Sequence, residues 1–239
     1  MNIVSIVRDV VPLEVRQEIK QAIRRWNDYR NDLKFNDPKV EISSAHRISL
    51  TQPIIRTRLF ENKIHNIMRG CSLLSMTEMA PQKYWSFWYG VGRPSRANQF
   101  ITGRNLVNGE LREQNGGGLC QLSSLAYHLA LLAGLKVIER HPHSIDIYQE
   151  HLRFAPLGAD ATVVWGFKDL RLFNPHEFPV EFKFVVDNER LVGTICSSQK
   201  ILAHDVEFER IKITEDLNRV DTKVDGIVTA TNLYQYRPV

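Results

Sequence analysis

Three glycines run straight into a cysteine-bearing helix. Gly116, Gly117 and Gly118 precede a segment whose apolar residues Leu122, Leu125, Ala126, Leu129, Leu132 and Ala133 recur at helical spacing, and Cys120 falls in its first turn. The unpaired N–H groups and positive dipole end of a helix start stabilise an anion, so a thiol there is drawn towards the reactive thiolate. Glycines let another chain approach the backbone closely. The amides of Cys120 and Gln121 are candidates for holding an oxyanion. Cys71 and Cys196 have no comparable entry and read as small buried hydrophobes. Three widely spaced cysteines form neither a disulfide framework nor a CxxC zinc pattern.

A nucleophilic cysteine needs a base, and the base needs an orienter. The helix is followed by GLKVIERHPHSIDIYQ, in which His141 and His143 lie two apart and would share a face of an extended segment. Asp160 then opens a strand-like run in GADATVVWG. Cysteine at a helix start, then histidine, then acid is the order of papain-like and transglutaminase-like thiol enzymes, an analogy at the level of element order. The chemistry would be acyl transfer. Cys120 would attack an amide carbonyl, His141 or His143 would move the proton, and Asp160 is the candidate to orient the imidazole. Arg93, Arg96, Arg104 and Arg112 are candidates to meet a substrate carboxylate, with Arg104 kept as the site residue. A metal is the rival reading, because Cys120, His141, His143 and His151 are ligand types. No second cysteine or nearby acid completes a metal motif, so no metal and no cofactor is expected. A phosphate loop is disfavoured, because Leu-Cys-Gln follows the glycines where Gly-Lys-Ser or Gly-Lys-Thr is required.

The elements that must position these residues read as α+β. Helices come first, a Gly-rich loop leads into the central helix bearing Cys120, and a mostly antiparallel sheet follows. Pro12 opens a helix over 13–34, and Val15, Ile19, Ala22, Trp26, Tyr29 and Leu33 form one apolar stripe. That stripe is expected to dock on the main domain or, failing that, to pair with a second copy. A second helix is expected over 57–80, closed by Pro81, and loops with short strands over 82–114. Gly134 suits the helix C′ position. VEFKFVV and LVGTICSS straddle Asp187–Arg190 as a hairpin. The tail after 200 is polar with strand propensity.

The 239 residues are 43% hydrophobic and 24% charged, which excludes a disordered chain and a disulfide miniprotein. The net charge of +4 is too small to argue for nucleic acid. Residues 41–120 hold ten basic and five acidic side chains, against five and seven over 201–239, so the middle is the place for an anionic partner. No run reaches the ~18–20 apolar residues of a membrane helix, and no export signal is visible at the start, which leaves the cytoplasm as the default expectation.

The motifs GGGLCQLSS (116–124), LLAGLKVIERHPHS (131–144) and GADATVVWGFKDLRLFN (158–174), with ENKIHNI (61–67), SFW (86–88) and the NG at 108–109, resemble the VanW family over about residues 45–200. The expected division is therefore an N-terminal helix and linker (1–44), a VanW-like domain (45–200) and a C-terminal extension (201–239). The resemblance implies a bacterial protein linked to vancomycin resistance and the cell envelope. It also implies cysteine-dependent acyl transfer, of the L,D-transpeptidase kind, on a peptide or peptidoglycan-precursor substrate. The alternative is a non-catalytic module that binds envelope peptides. Carried over by motif, the cysteine is Cys120 and the histidine of ER-x-x-HS is His143, with Asp160 from DAT as orienter. Gly116, Gly117, Gly118, Gln121, Arg104 and His141 are the expected substrate-binding residues. This chain has Pro81-Gln82 where the family has Pro-Gly. A peptidoglycan cross-linker works outside the membrane, so without export the substrate would be a cytoplasmic precursor or another acyl compound.

Overall fold

The computed structural model describes residues 11–38, 45–75, 77–107, 110–149 and 153–237. Its elements run α1 (Leu13–Arg30), β1 (Asp37–Pro38), β2 (His46–Pro53), α2 (Phe60–Leu74), β3 (Thr77–Met79), β4 (Tyr84–Ser86), α3 (Phe87–Val91), a 3-10 turn (Arg96–Asn98), β5 (Thr102–Val107), β6 (Glu110–Asn115), α4 (Leu119–Leu132), β7 (Lys136–Glu139), β8 (Ile145–Asp146), β9 (Arg171–Phe173), β10 (Val180–Asp187), β11 (Arg190–Ser197), β12 (Val206–Lys212), β13 (Leu217–Val224) and β14 (Ile227–Tyr236). The chain is α+β, with pairing antiparallel apart from a short β8–β14 ladder and one isolated parallel bridge.

A five-stranded sheet, β1-β3-β10-β11-β2, carries α4 on one face. Val180, Phe182 and Phe184 alternate inward from β10, and Leu191 and Ile195 from β11. Gly193 lies under the helix: a Cβ there would stand 2.7 Å from Leu129 and 2.8 Å from Leu125. Helix and sheet thus approach closely, and α4 is buried along most of its length. Its end is a Schellman motif. Gly134 takes φ 68°, its N–H donates to Leu131 O at 3.1 Å, and Leu135 N–H donates to Ala130 O at 2.9 Å. The β10–β11 hairpin turns through Asn188 and Glu189, both at positive φ, which matches the strand twist. Gln82 takes φ 56°, a conformation suited to the glycine the family has there.

A second sheet, β12-β13-β14-β8, is built largely from the polar tail. Its last strand, β14, pairs with β8, just after His143 in the chain. Smaller groups are the β4-β9-β7 sheet and the β5–β6 hairpin.

The first helix forms as expected, but its docking face is a correction. The apolar stripe faces solvent: Ile19 is 52% exposed, Trp26 60% and Tyr29 77%. The polar side docks instead. Arg171 binds Asp28 through two bonds of 2.8 and 2.9 Å, Arg24 pairs with Glu139, and Trp165 Nε1 donates to Glu18 at 2.8 Å. The backbone of α1 presses on Gly166, where a Cβ would stand 2.4 Å from Gln17 O. Ion pairs and a close backbone contact thus replace apolar burial at this junction. None of the described helices is long and apolar enough to cross a membrane.

Candidate functional site

Gly118 caps α4 at φ 105°, which brings the half-buried Cys120 into the first turn. Its amide lies in the first turn, which has no intrahelical acceptor. The Gln121 N–H, by contrast, donates to Gly118 O at 3.0 Å, whereas the Cys120 N–H has no backbone acceptor among the described residues. The segment 160–163 lies along the same turn. Ser124 Oγ accepts from Ala161 N at 2.9 Å, and Ser123 Oγ donates to Ala161 O at 2.6 Å. The Cys120 sulfur lies 3.7 Å from Val163 O.

These bonds fix Asp160 beside the loop that holds His143. The His143 ring Nδ1 is 2.8 Å from Asp160 Oδ2, and the His143 backbone N–H donates to the same oxygen at 2.5 Å. With Nδ1 engaged by Asp160, Nε2 is the ring nitrogen left to serve Cys120, which is near enough to influence the imidazole. His143 and Asp160 are bonded to each other, and Cys120 lines the same cleft. Burial alone would lower the pKa of His143. The hydrogen bond and charge of Asp160, with a further influence from Cys120, outweigh it and raise the pKa to about 10. Burial pushes Asp160 the opposite way, but His143 and Arg140 hold its carboxyl well below the usual carboxylate range.

Two residues that the sequence reading missed complete the acid. Arg140 Nη2 donates to Asp160 Oδ1 at 3.0 Å, and Tyr234 OH donates to the same oxygen at 2.6 Å. Arg140 Nε also donates to Asp160 O at 2.7 Å, and its guanidinium lies 4.8 Å over the Tyr127 ring. Arg140 sits inside the ER-x-x-HS motif, so its signal was available. Tyr234 had none, because it reaches the site from β14 near the end of the chain.

Gly118, Cys120, Gln121, Arg104, His143 and Asp160 all line one cleft of about 170 Å³, with Tyr148, Phe154 and Lys63 among its walls. Three expected binding residues do not line it. His141 is engaged with Glu139 at 2.9 Å. A Cβ on Gly116 would stand 2.8 Å from Pro94, and one on Gly117 would stand 2.4 Å from the Gly103 carbonyl carbon. Gly116 and Gly117 thus seat the loop against the protein itself. The Gly117–Gly103 contact sets the β5 strand that carries Arg104. Cys71 and Cys196 are buried free thiols, and burial raises Cys71 to about 12. Among the described residues no three His, Cys, Asp or Glu side chains group as a metal site. His151 lies outside the described residues.

The family model described as VanW like protein matches residues 62–196, more than half of the chain. The Vancomycin B-type resistance protein VanW of Enterococcus faecalis is 27% identical over 140 residues, covering 59% of this chain and 51% of that protein. The uncharacterized protein YoaR of Bacillus subtilis is 30% identical over 141 residues, covering 59% and 45%. The chain spans about half the length of these curated relatives. No solved structure matches it.

Proposed function

For a chain that belongs to the VanW-like protein family, we propose cysteine-dependent acyl transfer at Cys120. The observation that carries this is the meeting of Cys120, His143 and Asp160, drawn from separate segments, at the wall of one cleft. In the resting site the imidazole of His143 holds the proton that the leaving amine will take. The sulfur attacks an amide carbonyl carbon, and the oxyanion forms near the Cys120 N–H at the helix start. The C–N bond breaks as His143 gives its proton to the leaving amine. A thioester on Cys120 remains. An acceptor amine or water then attacks that thioester and gives a proton to His143, the C–S bond breaks, and the Cys120–His143 pair returns to its starting state.

The relative named as a vancomycin B-type resistance protein supports a cell-wall setting. The first substrates to try are therefore peptidoglycan stem peptides, with L,D-transpeptidase-like exchange as the reaction. Incubation of the full chain with stem peptides and an amine acceptor, read by mass spectrometry, tests this. The expected results are an acylated Cys120 peptide and a product joined to the acceptor, both abolished by Cys120→Ala. Absence of acyl-enzyme with stem peptides, together with unaltered reactivity of Cys120 without His143, would leave a peptide-binding module as the better account. A second role, self-association, is favoured by the solvent-facing stripe of α1.

A further inference from the structure

Four lysine and arginine side chains line the cleft: Arg58, Lys63, Arg104 and Arg153. Two are neutralised, Arg58 by Glu113 and Arg153 by Asp146. Lys63 and Arg104 have no carboxylate partner among the described residues. They are also near enough for the charge of Arg104 to act on Lys63. The carboxylates that line the cleft, Asp146 and Asp160, are already taken, by Arg153 and by the His143–Arg140 pair. Packing holds the two cations together at a cost. The stem of Lys63 lies where a Cβ on Gly118 would come within 2.8 Å of it, and its ammonium sits 5.9 Å from the Phe154 ring centre. Arg104 is set by the backbone contact of its neighbour Gly103 with Gly117. Burial, then the Arg104 charge, lowers the pKa of Lys63 to about 8, as expected for a cation awaiting a counter-ion.

We propose that Lys63 and Arg104 form a carboxylate-binding subsite beside Cys120, so that the acyl donor is a peptide bearing a free carboxylate close to the bond that breaks. Arg supplies a planar fork for the two oxygens, and Lys supplies a point charge on the same group. Neutralisation by substrate removes the repulsion between the two cations, so the cleft discriminates a peptide acid from its amide. This subsite rests on the acyl-transfer reading for its role, yet its chemistry can be measured apart from turnover.

The experiment compares alkylation of Cys120 by iodoacetate, which carries a carboxylate, with alkylation by neutral iodoacetamide. It uses the full chain and reads each cysteine by peptide mass. The iodoacetamide rate reports the nucleophile, and the ratio of the two rates reports the subsite. Lys63→Gln and Arg104→Gln should each lower that ratio by about tenfold, the loss of one charge-assisted contact, with each variant's own iodoacetamide rate as its reference. Arg58→Gln, which removes a cation already paired, should leave the ratio unchanged. A ratio that is the same in wild type, Lys63→Gln and Arg104→Gln overturns the subsite. A Cys120 as slow as Cys71 towards iodoacetamide, but with a ratio that still falls in the variants, would sink the acyl-transfer reading and leave the subsite standing.

Discussion

Asp160→Asn keeps the shape of the acid and removes its charge. In the wild type that charge faces His143 through bonds of 2.8 and 2.5 Å, and Arg140 at 3.0 Å. The Arg140 side chain is 6% exposed, and losing the partner of so buried a charge costs about 3–5 kcal/mol. His143 responds differently, because it can shed its proton. Burial pushes its pKa down and Asp160 is the chief opposing influence, so its pKa should fall well below about 10 in the variant. A pKa raised from 6.5 to about 10 contributes stability that is full below 6.5 and is lost as pH rises through about 10. That contribution shrinks in the variant, whereas the Arg140 share does not titrate in this window. The stability gap between wild type and variant is therefore widest near about pH 6 and narrows towards about pH 9. Urea unfolding at those two values, with an NMR titration of the His143 ring, measures it. A His143 that still titrates near about 10 in the variant, or a gap equal at both pH values, would refute the reasoning.

The remaining expectations concern the surroundings of the site. Tyr234→Phe removes the donor at 2.6 Å from Asp160 and should cost about 1.5–3 kcal/mol in urea at neutral pH. A loss below about 0.5 kcal/mol would show that Arg140 alone satisfies the oxygen. Gly117→Ala sets a Cβ against backbone at 2.4 Å, so neither side can yield cheaply. Its thermal unfolding midpoint should drop and the Arg104 effect on anionic reagents should weaken, whereas an unchanged midpoint would deny the tight loop–hairpin contact. Ile19→Ser with Trp26→Ser alters only solvent-facing positions of α1. Stability should hold within about 0.5 kcal/mol per site while any dimer seen by sedimentation dissociates. Unfolding of the double variant would instead mark the stripe as core.

Much of this was legible in the sequence because it is local. The triple glycine, the heptad-like spacing of Leu122, Leu125 and Leu129, and Gly134 define α4 without help from distant residues. The two polar residues between strand-like runs at Asn188 and Glu189 likewise define the β10–β11 hairpin. Cys120, His143 and Asp160 were named as candidates from chain order and family motif. What was missed depends on long-range pairing. The α1 stripe suggested apolar docking, yet Asp28–Arg171 and Arg24–Glu139 draw the opposite face inward, and each partner lies over a hundred residues away. Tyr234 arrives from a tail whose polar sequence gave no hint of a buried hydroxyl. Gly116 and Gly117 looked like a ligand cradle, but Pro94 and Gly103 fill the space their missing side chains leave. Lys63 sits in the ENKIHNI motif, and only its placement beside Arg104 gives it a role.

The central claim is that Cys120 is a nucleophile activated by His143. It is tested most directly by the pH dependence of iodoacetamide alkylation at each cysteine, in wild type and His143→Ala. The account predicts that Cys120 reacts fast at neutral pH while the buried Cys71 and Cys196 stay slow, and that Cys120 slows in the variant. A Cys120 no faster than the buried pair, or equally fast without His143, would contradict it.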